Sequence, residues 1–339
     1  NRFNPVQFKG SERSQQFRGM SLLRLAEFIC ERRGIRVRGE SRMEIARLAL
    51  HTTSDFPAIL ANVANKTLRA AYEAAPQTFR QIVRVTFHPD FKGVTRVQLG
   101  DAPSLVKVNE KGEFTRGSIG DGKESYALAT YGRILGVTRQ VIVNDDLDAL
   151  TRLPMLFGRA AADLESDLVW AQITGNPTMG DTVALFHADH KNLASSGATI
   201  SDTTLDAARV AMRKQTGLNG RTMNLTPKFV LVPVVKETVA RKYFATEIRP
   251  GKADDVNPFA GTMDVIPEPR LDAASTDYWY VAADPGQVDI IELAYLQDQQ
   301  GVYLETRQGF DVDGMELKAR LDVAAKVIDH RGLYANPGK

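Results

Sequence analysis

The chain has 339 residues, 43% hydrophobic and 25% charged, with a net charge of +2 and one cysteine. That composition supports folded cores and excludes disorder over the whole length. Its longest apolar runs, such as Phe229 to Val235, fall far short of the roughly 18 residues a membrane span needs, and the lone Cys30 excludes an internal disulfide.

The first ten residues are polar and basic with no apolar stretch, so no secretory signal is expected, and the single cysteine fits a reducing cytoplasm. Charge is uneven: the first fifty residues hold eleven basic side chains against five acidic ones, which leaves the remainder mildly acidic. A cationic arm of this kind suits docking on a neighbouring subunit or closeness to nucleic acid, and equally a solvated leader.

Residues 1 to 18 lack apolar periodicity. From Ser21 to Arg33 the series Leu22, Leu25, Ile29 and Leu23, Ala26, Cys30 follows helical spacing, with Ser21 as N-cap and Gly34 as the stop; Cys30 reads as a small buried hydrophobe. Further helices are predicted over Met43 to His51 and over Phe56 to Ala75, the latter ending before Pro76. The period then alternates: Phe79 to Phe87 and Val94 to Leu99 are strand-like, and Ser125 to Val143 is a long stretch rich in Tyr, Thr, Val and Ile. The segment between, Gly100 to Lys123, carries the charged turn Asn109 to Glu113 and the glycines Gly117, Gly120 and Gly122, which predicts a long β-hairpin over Val94 to Val137. A two-stranded ribbon is marginal in water by itself, so it is expected to lie on another subunit.

Asn144, Asp145 and Asp146 predict a helix start. Past Pro154 comes a spine helix with Phe157, Ala160, Ala161, Leu164, Leu168 and Trp170 to Ile173 on its apolar side, and Arg159, Asp163, Ser166 and Asp167 on its polar side. It stops at Gly175-Asn176-Pro177. Helices over Thr203 to Gln215 and Lys236 to Phe244 flank a buried strand, Phe229 to Pro233, and residues 246 to 262 read as a loop. Strands follow at Thr262 to Ile266, Tyr278 to Ala283, Ile290 to Leu296, Val302 to Thr306 and Met315 to Ile328, before a polar tail.

Chemistry is sparsely signalled. Gly117 to Lys123 begins like a phosphate loop but has Glu124 where Ser or Thr would hold magnesium. His187 and His190 could ligate a metal, yet no further ligand is signalled, so a structural turn is expected and neither metal nor cofactor. Asp145 and Asp146 read as caps, and Ser195-Ser196-Gly197 lacks a nucleophile-elbow frame. No catalytic residue is predicted.

Certain stretches, in their order, carry a resemblance. Asp55-Phe56-Pro57, Asp90-Phe91-Lys92 with Val97-Gln98-Leu99-Gly100, Tyr131-Gly132 with Leu135 to Arg139, Asn144 to Leu147, Leu185-Phe186-His187 with His190 to Leu193, and Gly314 to Leu317 resemble the Mu-like major head subunit family. They are also similar to the capsid part of prohead protease and capsid fusions. The resemblance implies an α+β, Hong Kong 97-type phage capsid fold, divided into an arm (1–54), a peripheral domain (55–93, 138–200 with the spine helix, 309–339), an extended hairpin (94–137) and an axial domain (201–308).

It further implies a major capsid protein that self-assembles, as hexamers and pentamers, from a procapsid into an icosahedral head around double-stranded DNA. Portal, scaffold or protease and decoration proteins are the implied partners, with no membrane, and a start at Asn1 would fit maturation cleavage. Subunit contacts are expected at Leu22, Leu25, Ile29, Val97, Leu99, Glu110, Lys111 and Glu113, and genome-facing charge at Arg32, Arg33, Arg36 and Arg38. Lys107, Lys111 and Lys123 lack a full crosslinking set. The alternatives are an encapsulin-type shell and, more distantly, a metal-dependent soluble enzyme.

Overall fold

The computed structural model describes residues 20–52, 55–99, 121–138, 147–244, 258–309 and 314–339. Its helices are α1 (Leu22–Arg32), α2 (Arg42–Thr52), α3 (Asp55–Ala74), α4 (Leu147–Thr174), α5 (Asp202–Arg213), α6 (Glu237–Phe244) and α7 (Pro269–Ala274). The strands are β1 (Val83–His88), β2 (Val94–Leu99), β3 (Asp121–Tyr126), β4 (Ala129–Thr138), β5 (Pro227–Val232), β6 (Asp264–Pro267), β7 (Trp279–Ala283), β8 (Ile291–Leu296), β9 (Tyr303–Gly309), β10 (Gly314–Val327) and β11 (Leu333–Asn336). They fall into two units, one of residues 1–75, 130–162 and 301–321, the other of 76–129, 163–300 and 322–339.

The first unit is built around helices. Ser21 caps α1 by accepting the Arg24 N–H, and Gly34 at φ +78° ends it in the left-handed region that glycine adopts without strain. The inward residues Ala26, Ile29, Cys30, Ile45, Ala46, Ala49, Ala64 and Leu68 share one core with Leu304, Leu317 and Ala319. So many alanines let backbones approach closely. At Gly158 of α4 an added Cβ would lie 2.4 Å from the Leu68 carbonyl of α3, which is why only glycine fits. Strand β9 pairs antiparallel with the first part of β10, Gly309 opposite Gly314 and Tyr303 opposite Arg320, and β4 borders the same strand. The helices expected in a separate arm thus share a core with β9 and β10.

The second unit holds a four-stranded sheet in the order β11-β7-β5-β6, where β5 and β6 are parallel and the other pairs antiparallel. Every residue of β7 and β11 is buried, as expected of strands covered on both faces. A second ladder joins β1 parallel to β8 and β8 antiparallel to the remainder of β10, Val327 opposite Ile291. Strands β2 and β3 form a separate antiparallel ribbon, Val94 opposite Tyr126 and Leu99 opposite Asp121.

Several expectations are corrected. The start of the predicted strand Phe79 to Phe87 is a 3-10 turn, Thr78–Gln81, which sinks Phe79 fully into the core. The long stretch from Ser125 divides between two strands with different partners: β3 pairs β2, whereas β4 pairs β10, so the hairpin's return arm ends at Tyr126 instead of Val137. Helix α4 runs through Pro154 instead of starting after it. Its buried side includes Glu165 and Ser166, while Ala160 is exposed, because the buried stripe follows Ala162, Glu165, Ser166, Val169, Trp170 and Ile173. The tail is not a polar extension: its Leu333, Tyr334 and Ala335 add β11 to a sheet. Helix α7, started by Pro269 with Glu268 accepting the Arg270 N–H, was not predicted. Asn144 to Asp146 and most of the 246–262 loop lie outside the described residues.

Candidate assembly interface

The alternation of β2 and β3 decides what the hairpin base can touch. Arg96 and Glu124 face each other across the ribbon and, with Tyr126, point inward. Arg96 donates through Nε to both carboxylate oxygens of Glu292 on β8, at 2.9 and 2.8 Å, and through Nη2 to one of them. Glu292 has only 4% of its side chain exposed, against 38% for Arg96. Burial by itself would raise the Glu292 carboxyl, but the Arg96 fork, joined by Thr86 and Tyr126, outweighs it and holds the group below the ordinary glutamate range.

Two further anchors join it. Glu124, buried, takes the Gly180 N–H at 2.5 Å and faces Lys326 of β10 at 3.4 Å. The Tyr126 hydroxyl lies 2.8 Å from Nε2 of His88, which is buried at the end of β1. The ribbon therefore stands on its own unit through three polar clamps. The base of the hairpin is thus held intramolecularly, while the rest of it, residues 100–120, lies outside the described residues.

The outward face is different. Val97 is 53% exposed, and Phe87 and Phe91 in the strand and turn before it are 49% and 47% exposed. Leu99 belongs to β2, but its side chain, like Glu110, Lys111 and Glu113, lies outside the described residues.

On α1 the expected contact residues divide. Ile29 is buried in this core, so its apolar surface is used inside the chain, whereas Leu25 is only partly buried against it; the side chain of Leu22 is not described. The amphipathic pattern showed that this face is buried, not by what. Arg32, Arg33, Arg36 and Arg38 are all exposed on the last turn of α1 and the loop after it, where buried Val37 pins the loop between them.

A group missed in the sequence lies on the 3-10 turn Val234–Lys236 and on α6: Val234, Val235 and Val239 are 44%, 63% and 43% exposed. Asp272 of α7 fixes this turn by accepting the Val234 and Val235 N–H groups at 2.6 and 3.3 Å. Exposed valine at helical spacing was the available signal.

The residues weighed for chemistry are not brought together. His187 is half-exposed and its Nδ1 accepts the Asp189 N–H, whereas His190 is buried and turned toward Asp181, so the segment is a turn. Asp121 to Lys123 of the glycine-rich segment lie in a strand, not at a helix start.

Residues 122–336, more than half of the chain, match the family of phage capsid proteins, and the chain belongs to that family. It is a major capsid protein, a structural subunit of the virion shell and not an enzyme, with a Hong Kong 97-type architecture. Similar solved structures come from Microbacterium phage Oxtober96, at 9% identity and TM-score 0.51 over 78% of this chain and 91% of the other. Others are Mycobacterium phage Bobi, at 12% and 0.50 over 77% and 89%, and a Cyanophage Pam1 capsid asymmetric unit, at 13% and 0.50 over 76% and 91%. At these identities the likeness is one of fold. No curated protein matches the sequence.

Proposed function

We propose that copies of this chain associate as hexamers and pentamers of a closed icosahedral shell, with the β2–β3 hairpin reaching across a neighbouring subunit. The observation that carries this is the hairpin base: three part-buried polar clamps fix its inner face, while Val97 on its outer face stays open. A rigid base gives a projecting ribbon a defined direction, and an exposed apolar side chain beside it gains free energy only by being covered. The Val234, Val235 and Val239 group is a second contact surface by the same reasoning.

Arg32, Arg33, Arg36 and Arg38 face packaged double-stranded DNA in this reading, through salt-sensitive, sequence-independent phosphate contacts. Assembly takes place in the host cytoplasm, with portal, scaffold or protease and decoration proteins as further partners. No described helix is long and apolar enough to cross a membrane. An encapsulin-type shell is disfavoured by the family, and nucleic acid in purified particles would separate the two.

Electron microscopy of purified protein is the test. Wild type is expected to give closed shells, and both Val97→Asp and deletion of residues 108–122 to give folded subunits that do not close. Normal shells from both variants would refute the hairpin contact.

A further inference from the structure

Three side chains distant in sequence meet in the second unit: Asp181, His190 and His330, whose ligand-type atoms lie within 4.8 Å of one another. His190 is buried, with Nδ1 3.0 Å from the Leu185 carbonyl oxygen and Nε2 2.7 Å from Asp181 Oδ2. Both neighbours are acceptors. A neutral imidazole has one N–H, so one of these contacts would set two lone pairs against each other; both are satisfied only when His190 carries two protons and a positive charge. Asp181 provides the countercharge. Burial would raise its carboxyl, but the His190 hydrogen bond and the Val183 N–H hold it below its ordinary value.

The His330 ring lies flat on that of His190, centroids 3.7 Å apart and planes 9° from parallel. This geometry excludes a metal ion shared by the two rings as they stand. An imidazole binds metal in its own plane at about 2.0–2.1 Å, and two stacked parallel planes cannot both contain one ion. The cluster is organised around a proton. A second proton, on His330, would set two positive rings face to face in a buried place. Burial and the neighbouring His190 charge push His330 down to about 4, so at neutral pH it is uncharged. The charged groups that bear on it are Asp181 and Asp329, which favour its protonation, and His190 and Arg331, which oppose it.

The stack stands at the corner where the chain enters its last strand. The Asn192 side chain donates to the His330 carbonyl at 3.3 Å, the Ala335 N–H to the Asn192 carbonyl at 2.8 Å, and the Ala194 N–H to the Ala335 carbonyl at 2.9 Å. Anything that separates the rings therefore pulls on the edge of β11 that does not pair with β7.

We infer that Asp181, His190 and His330 form a one-proton latch that keeps β11 docked, and that uptake of a second proton by His330 in acid separates the rings and frees residues 331–336. The stacking fixes the sign of the response: acid opens, neutral pH closes.

Hydrogen exchange read by mass spectrometry on the purified full chain, corrected for the chemical exchange rate at each pH, tests this. Wild type is expected to lose at least about tenfold of the protection in residues 331–336 between pH 6.5 and pH 4. His330→Phe, which keeps a flat ring and takes no proton, should lose less than about twofold. If His330→Phe lacks wild-type protection at pH 7.5, His330→Gln takes its place under the same expectation. An equal acid loss in wild type and variant would overturn the latch, as would unchanged protection in wild type. Restoration of the wild-type protection in acid by equimolar zinc chloride would overturn it too, by showing a metal site.

Discussion

Replacing Arg96 by Met removes the charge from the hairpin base while keeping most of the side chain's length. Glu292, with 4% of its side chain exposed, then loses the cation that offsets its burial. At an effective dielectric constant of about 20, opposite charges at roughly 4 Å attract by about 4 kcal/mol, and orphaning a buried charge typically costs about 3–5 kcal/mol. Arg96 is 38% exposed, so water already screens part of the pair and can reach part of the vacated space. The expected loss is therefore nearer 2 kcal/mol. Glu292→Gln should lose less, about 1 kcal/mol, because the partly exposed guanidinium can rehydrate.

The double variant Arg96→Met, Glu292→Gln should lose less than the two single losses added together, since neither partner is left as a lone charge. The pH dependence has a definite sign. In wild type the Glu292 carboxyl is depressed, so it adds stability above its unfolded value and loses it as pH falls. In Arg96→Met the same carboxyl keeps its burial but loses the strongest of the groups that lower it, so its value moves up and the deficit is greatest near pH 7.5 and shrinks toward pH 5. Urea unfolding of unassembled subunits, followed by fluorescence of the buried Trp170 and Trp279, measures all of this in the unit that contains the pair. A loss below about 0.5 kcal/mol in Arg96→Met, unchanged between pH 7.5 and pH 5, would refute the clamp.

Gly158→Ala gains about 1 kcal/mol of helix propensity, but its Cβ would meet the Leu68 carbonyl at 2.4 Å and the Tyr72 nitrogen at 3.0 Å. Backbone cannot yield as a side-chain tip does, so overpacking of about 1–3 kcal/mol wins and the urea midpoint should fall. On the spine helix Ala162→Asp should yield insoluble protein, because Ala162 is 1% exposed and an unpaired carboxylate there costs several kcal/mol. Leu164→Asp should be milder, since half-buried Leu164 lets the carboxylate tilt toward water; equal soluble yields from both would contradict the assigned face. His330, lowered from 6.5 to about 4, should withdraw up to about 3 kcal/mol of stability as pH falls from 6.5 through 4. Melting of His330→Gln over the same range should be correspondingly flatter.

Local signals proved readable where one physical cause dominates. Ser21 and Gly34 bound α1 because capping and a left-handed turn are decided within a few residues, and β2 runs over Val94–Leu99 because nothing competes with its alternation. Partner choice is another matter. Ser125 to Val143 looks like one strand, yet Tyr126 and Ala129 end and begin strands in different ladders, a division set by Glu124 reaching Lys326 and Gly180 and by the Gly132 backbone passing close to Ala319. Ile29 shows the same limit: its helical spacing announces burial, but only the fold says that Leu304 and Leu317 share its core, not a second subunit. Glu165 and Ser166 defeat hydropathy outright, because polar side chains can lie on a buried face when Gln77 and Arg80 reach the carboxylate from 88 and 85 residues away. The histidine cluster has that character too. His190 was weighed with its neighbour His187, three residues off, while its partners Asp181 and His330 were invisible, because a side chain's long-range contacts are properties of the packed chain and not of spacing.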